Sequence, residues 1–341
     1  MRTADDVGEP GTVAATFRAS LRGDDQLVSR FRAGKPFRFG VNTWAATSSG
    51  DWIDKARRIE ALGYSTLFMP DHLADTLSPF SALAIAAQAA PTLRVGPFVL
   101  NNDLRHPVVV AHEVATLDLL TGGRVELGLG AGYADAEYLQ AGLRFERGRV
   151  RVARLAESVS IIKRLLSGET VTFTGDHYTV AGHRIQTPPV QRPRPPILIG
   201  GNGQELLTLA AKEADIVGFT GATFPPGGRP VQLNGFAEKD FAERIGWVRS
   251  AAAQLSPELN LLVQHVVVEE TPRKAAEVLA SQFARLTPDV ALESPFLLLG
   301  PLEHLVETLE ARRERWGVNY VVIFERALAD FAPVVARLAG N

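Results

Sequence analysis

The stretch "LDLLTGGRVELGLGAGY", Leu117–Tyr133, has five glycines in its last twelve residues. Two α/β folds would use the second group, Gly128, Gly130 and Gly132, differently. In a dinucleotide-binding unit, G-x-G-x-x-G follows the first strand and opens a helix at once. An acidic residue then ends the next strand about 20 residues on. Here three strand–helix patterns come earlier, and Tyr133 stands where the third motif glycine belongs. "YADAEYLQAGLRFERGR" then intervenes before the next long helical pattern. In a barrel, strands end at a C-terminal mouth whose loops carry the active site. Glycines there let backbone turn tightly or approach a flat ring closely. The first pair, Gly122–Gly123, reads as the cap of the preceding helix.

Working outward, the strand–helix alternation runs in both directions. Upstream, "FRFGVNTW", "YSTLFMP" and "LRVGPFVLN" read as strands. "DWIDKARRIEALG" places Trp52, Ile53, Ala56, Ile59 and Leu62 on one helical face and stops at Gly63. "SPFSALAIAAQAA" is a helix with Pro79 in its first turn. "HPVVVAHEVATLDLLTGG" is a helix that turns Val110, Val114 and Leu117 inward. "RVELGLG" is the fourth strand. Downstream come a long helix, "RVARLAESVSIIKRLLSG", and a hairpin insertion, "VTFTGDHYTV". The strands "PPILIGG", "DIVGFT", "LNLLVQHVVV" and "YVVIF" follow, with helices between them. The strands lack clean alternation, as expected when both faces are covered. Eight such strands predict a TIM (β/α)8 barrel over residues 36–341, with insertions at the C-terminal face of the strands. Residues 1–35 read as an N-terminal extension, helical around Val13–Phe31. "GATFPPGGRPVQLNG", 221–235, is too rich in Pro and Gly for regular structure, and a long loop of this kind is usually functional.

Composition narrows the function. The chain has 341 residues, 46% of them hydrophobic, and a net charge of −2. That balance offers no basic surface for nucleic acid. No apolar run reaches the roughly 20 residues of a membrane helix. The first residues lack an apolar signal core, so a cytoplasmic protein is expected. With no cysteine, disulfides, zinc–thiolate sites and cysteine nucleophiles are excluded. His106, His112, His177 and His183 have no metal-ligand spacing.

Four separated stretches, taken in order, resemble one family. "RHPVVVAHEVATLDLLTGGRVELGLGAGY" is similar to the signature of the luciferase-like monooxygenase superfamily, where such a run joins the third and fourth barrel strands. "LGYSTLFMPDHL" resembles that family's second strand with its Asp-His ending, and "PPILIGGNG" its phosphate-side strand. "SPFLLLGPLEHLVETLEARRERWGVNYVVIFE" resembles its last helix and strand. The resemblance covers about residues 37–338 and is closest to the reductases and dehydrogenases that use the deazaflavin coenzyme F420. FMN with a monooxygenase outcome is the alternative, and a non-catalytic flavin-binding barrel a further one. The resemblance also implies a homodimer and a small-molecule substrate.

Candidate site residues follow. Asp71 and His72 end the second strand, where a carboxylate and an imidazole can hold a proton and orient a ring. A helix N-cap and a polar loop residue is the plainer use of that pair. The resemblance implies that they line the deazaflavin pocket. It also implies a non-prolyl cis bond near Phe98–Val99, pressing on the back of the ring, where the residues alone read as an ordinary buried strand. Asn101 is placed to donate to a ring carbonyl. Arg105 can pair with a carboxylate, Asp118 and Glu113 included. Gly130, Ala131 and Gly132 are expected against the ring. Gly200, Gly201, Asn202 and Gly203 precede a helix start, whose unpaired N–H groups suit a phosphate, though a simple left-handed turn would look the same. In the sugar-phosphate dehydrogenase branch, a Trp lies four residues after the His and a Glu follows the glycine run. Thr76 and Tyr133 stand there in this chain, which argues against a sugar phosphate as substrate.

Overall fold

The computed structural model describes residues 35–74, 76–221, 235–253, 255–283 and 286–341. The expected N-terminal extension and nearly all of the 221–235 loop lie outside the described residues. The chain opens with β1 (Arg38–Asn42), α1 (Ser49–Ala61), β2 (Thr66–Met69), α2 (Pro79–Ala89), β3 (Arg94–Pro97) and β4 (Leu100–Asn101). It continues with α3 (Pro107–Leu120), β5 (Leu127–Gly130), α4 (Asp135–Gln140), α5 (Gly148–Leu166), β6 (Val171–Thr174) and β7 (Thr179–His183). Then come β8 (Ile197–Gly201), α6 (Gln204–Glu213), β9 (Ile216–Phe219), α7 (Glu238–Ala251), β10 (Glu258–Leu262) and β11 (His265–Val267). The last elements are α8 (Pro272–Ala280), α9 (Pro288–Glu293), β12 (Leu297–Leu299), α10 (Leu302–Trp316), β13 (Val318–Phe324) and α11 (Leu328–Leu338).

Nine parallel segments form one sheet in the order β3-β2-β1-β13-β10-β9-β8-β5-β4. β3 and β4 are two halves of one stave. A parallel bridge between Val95 and Val125 joins its lower half to the approach of β5, so the ring nearly closes on eight staves. This is the expected (β/α)8 barrel. β6 and β7 form the expected hairpin outside the ring.

The third strand breaks at Phe98–Val99, where the peptide bond is cis, as the family resemblance implies. Two features differ from the sequence reading. "LNLLVQHVVV" is two strands: β10 stays in the barrel, while β11 pairs with β12 in a separate sheet. An unbroken apolar run does not reveal such a change of partner. α4, α9 and β12 are too short to show a period of their own.

Apolar residues pack in two bodies. One, with Trp52, Ile59, Leu83, Val114, Ile162 and Leu207, lies between the strands and the helices. The other, with Phe68, Phe98, Leu198, Leu262, Tyr320 and Val322, fills the barrel itself. Alternation along each strand separates them. The bottom of the barrel is polar. Glu126 is fully buried between Arg38 (2.7 Å) and Arg94 (2.6 Å). The Tyr320 hydroxyl lies 3.1 Å from its other oxygen. Burial alone would push the Glu126 carboxyl up, but the two guanidinium groups bring it below the usual carboxylate range.

Above this layer, small residues make room for large ones. A Cβ on Gly40 would sit 3.1 Å from the Phe68 ring, and one on Gly218 3.2 Å from Leu198. Gly96 and Gly128 meet backbone instead: their Cβ atoms would lie 2.0 Å from the Glu126 carbonyl and 2.2 Å from the Pro97 carbonyl. β3 and β5 can therefore approach only through glycine.

Candidate active site

The C-terminal ends of the staves surround a cavity of about 670 Å³. Its floor answers the question raised by the glycine run. Val99 is seated in a hollow made by Gly128, Gly130 and Gly200, whose Cβ atoms would lie 3.1, 2.6 and 3.3 Å from its methyl groups. The three glycines face inward on β5 and β8, and a side chain on any of them would lift or displace Val99. Gly132 has a different task. Its φ is +74°, and a Cβ would strike the Tyr138 hydroxyl at 2.2 Å and Asn101 Oδ1 at 2.5 Å. No helix springs directly from this run: residues 131–134 are loop before α4. The dinucleotide reading therefore fails on topology. Gly122 and Gly123, at φ +66° and +88°, do cap α3.

The wall after β2 is built on charge. Asp71 is buried, and both of its oxygens meet the Arg105 guanidinium, at 2.6 and 3.0 Å. Asp71 Oδ2 also accepts the Asn101 N–H at 3.0 Å. Arg105 thus pairs with Asp71 rather than with Asp118 or Glu113. Asp118 instead accepts the N–H groups of Val190 and Gln191 and the Gln191 amide. The pair ties the end of β2 to the segment after β4, so Asp71 holds two cavity walls in register. Arg105→Ala would leave a buried carboxylate with one N–H partner. We expect a loss of about 3 kcal/mol or more in urea unfolding, partly recovered in Arg105→Lys. An unchanged midpoint would remove this role.

Asn101 uses its carboxamide oxygen locally, accepting from the Tyr138 hydroxyl (2.9 Å) and from the Asp103 N–H (3.1 Å). Its amide N–H groups remain the part able to donate to a ligand. The carbonyls of Ala131 and Gly132 are held by Arg151 of α5, at 3.1 and 3.2 Å. The loop after β5 is thus fixed from outside the cavity.

His72 sits in a chain of hydrogen bonds. Its Nδ1 lies 2.7 Å from Glu137 Oε1, and its Nε2 3.0 Å from the Tyr133 hydroxyl. The second Glu137 oxygen accepts the Leu73 N–H at 3.0 Å. Thr76 donates to the His72 carbonyl at 2.9 Å. Burial, and then the charge on Glu137, push the Tyr133 phenol up to about 12, so it keeps its proton at neutral pH. Glu137 was not read as functional in the sequence. Tyr133 lies in the loop before α4, so no helical spacing in the sequence links it to Glu137.

Gly200, Gly201 and Asn202 line the opposite side of the cavity. Gly201 does not have positive φ; a Cβ there would meet Leu206 Cδ2 at 2.1 Å. Asn202 faces β9, donating to Thr220 Oγ1 at 2.8 Å and accepting the Gly221 N–H at 3.1 Å. Gly203 is the exposed N-cap of α6 and falls outside the cavity lining. The structure brings the other sequence-predicted site residues together around this cavity. It adds Asn42, Trp44, Leu262, Gln264 and Phe324 from the first stave and the last two. Asn42 is buried, and its Oδ1 has no partner within the protein. Among the described lining residues there is no Lys or Arg. Among the described residues no cluster could hold a metal ion, and no helix is long and apolar enough to cross a membrane.

A family model described as luciferase-like monooxygenase matches residues 35–319. Three solved structures share the architecture. The coenzyme F420 dependent tetrahydromethanopterin reductase from Methanopyrus kandleri is 17% identical, over 89% of this chain and 99% of that one, with a TM-score of 0.69. An F420-dependent secondary alcohol dehydrogenase in complex with an F420-acetone adduct is 20% identical, over 89% and 99%, with a TM-score of 0.68. The oxygenating constituent of 3,6-diketocamphane monooxygenase from Pseudomonas putida, in complex with FMN, is 15% identical, over 89% and 96%, with a TM-score of 0.64. At these identities the likeness is one of fold.

Proposed function

The chain belongs to the luciferase-like monooxygenase family, and on that premise we propose that it is a coenzyme F420-dependent oxidoreductase acting on a small, uncharged organic substrate. The family's enzymes work with flavin-type cofactors, F420 or FMN. The observation that carries the reading is the cavity floor. Val99, flanked by Gly130 and Gly200, offers an apolar seat without side chains beside it, which suits one face of a flat ring. Asn101 N–H groups and the unpartnered Asn42 oxygen are available to polar atoms at the ring's edge. The backbone of 200–202 and the start of α6 would take the phosphate, with Gly203 contributing as the helix cap. When bound, the deazaflavin supplies a carbon that accepts or donates hydride. The protein holds it, keeps water out, and manages the accompanying proton through His72, with the ion-paired Asp71 holding the walls beside it. A wall without Lys or Arg among the described residues supports an uncharged substrate over a sugar phosphate. The same reading includes a homodimer paired through barrel helices.

The test is titration of the purified protein with F420 and with FMN, followed by fluorescence. F420 is expected to bind at least tenfold more tightly, and preference for FMN would overturn the deazaflavin assignment in favour of the monooxygenase reading. In Gly201→Val the new side chain displaces the tip of Leu206, a flexible group that lines the cavity beside the phosphate seat. Affinity should fall at least tenfold while the unfolding midpoint stays near that of the parent. Equal affinity would put the phosphate elsewhere.

A further inference from the structure

Both nitrogens of the His72 ring are occupied, Nδ1 by Glu137 at 2.7 Å and Nε2 by Tyr133 at 3.0 Å. The imidazole has only two nitrogens, so in this arrangement it presents none to a substrate. All three residues line the cavity; Glu137 and His72 are half-buried, and Tyr133 is the exposed member. The rings of His72 and Tyr133 meet edge to face with centroids 5.4 Å apart.

We infer that the proton exchanged with the substrate passes through the Tyr133 hydroxyl, with His72 as the relay behind it and Glu137 as the carboxylate that positions the ring. The inference rests on the oxidoreductase reading above. An ionised Glu137 only accepts, so Nδ1 carries the ring hydrogen and Nε2 presents a lone pair to the phenol. A phenol oxygen can accept one hydrogen bond while donating another. The resting array is therefore set to remove a proton, and it suits oxidation of a neutral alcohol. The alcohol's hydroxyl proton goes to the Tyr133 oxygen as the phenol's own proton moves to His72 Nε2. When bound, an oxidised deazaflavin would take the carbon's hydrogen with its electron pair as hydride, leaving a carbonyl compound. The imidazolium so formed lies against Glu137 and returns its proton to solvent. Among the described residues, the charged groups around the ring are Glu137 on α4 and, at its own strand end, the mutually neutralising Asp71–Arg105 pair.

Two measurements decide it. The first needs no cofactor: ¹⁵N NMR of the histidine rings in the full-length protein. His72 is expected as the Nδ1–H tautomer, with its Nε2 resonance moved in Tyr133→Phe and its Nδ1 resonance moved in Glu137→Gln. An Nε2–H tautomer, or an Nε2 resonance unmoved in Tyr133→Phe, overturns the relay. The second is single-turnover reduction of bound F420, with 2-propanol and cyclohexanol as probes. Tyr133→Phe should be at least a hundredfold slower at unchanged F420 affinity. A Tyr133→Phe rate within threefold of the parent, with His72→Asn slow, would show that His72 meets the substrate directly. If the parent binds no F420 or oxidises neither alcohol, the functional reading fails, and the NMR result alone decides the relay.

Discussion

His72→Ala and His72→Asn are each expected to lower single-turnover rates by about two orders of magnitude or more, while F420 affinity and fold are retained. General acid–base groups contribute typically 10²–10⁴-fold, so the expected loss lies in that range. The variants separate two roles. If His72 only braces the end of β2, Asn restores the shape and part of the hydrogen bonding, and the rate should recover. If it moves a proton, Asn cannot replace the ring, and the rate stays low. A fast Asn variant would remove His72 from proton transfer. The cavity walls are held by other groups, the Asp71–Arg105 pair and Arg151, so the expected loss is in rate rather than stability.

Gly96→Ala is the second large effect, and it is one of folding. Its Cβ would lie 2.0 Å from the Glu126 carbonyl oxygen, an atom fixed in the approach to β5. No side chain can turn aside to relieve this contact. Overpacking usually costs about 1–3 kcal/mol, and a clash with backbone belongs at the upper end or above it. The expected result is a large drop in the urea midpoint or failure to recover soluble protein. Gly40→Ala is the control. Its nearest neighbours are ring carbons of Phe68 at 3.1 and 3.2 Å, which can yield, so it should stay folded with a smaller loss. Equal midpoints for the two variants would contradict the close approach of β3 and β5.

Much of this was legible in the sequence because barrels repeat a simple signal. Each helix shows its own face: Trp52, Ala56 and Ile59 are buried as their spacing requires, as are Val110, Val114 and Leu117. The cavity residues at strand ends, Asp71, Asn101, Gly130 and Gly200, could be found because the fold puts strand ends at the mouth. What stayed hidden depends on contacts between distant segments. Nothing local to Arg105 says that its partner is Asp71, 34 residues earlier. Glu137 lies on a helix of only six residues, too short for a period to appear. Gly201 reads as a turn glycine, yet its backbone is ordinary; the contact with Leu206 demands it. The parting of β10 from β11 depends on β12, which lies beyond two further helices.

The seat of Val99 has a consequence for how such a protein can change over generations. The residue that floors the cavity also fills a hollow among three barrel glycines, so a substitution there disturbs site and scaffold together. Side chains that project from the loops beyond the strand ends are freer. The segments after β2 and β5 carry His72, Thr76, Tyr133 and Glu137 outside the strands. A lineage built on this plan inherits its ring seat nearly intact and explores new chemistry through its loops.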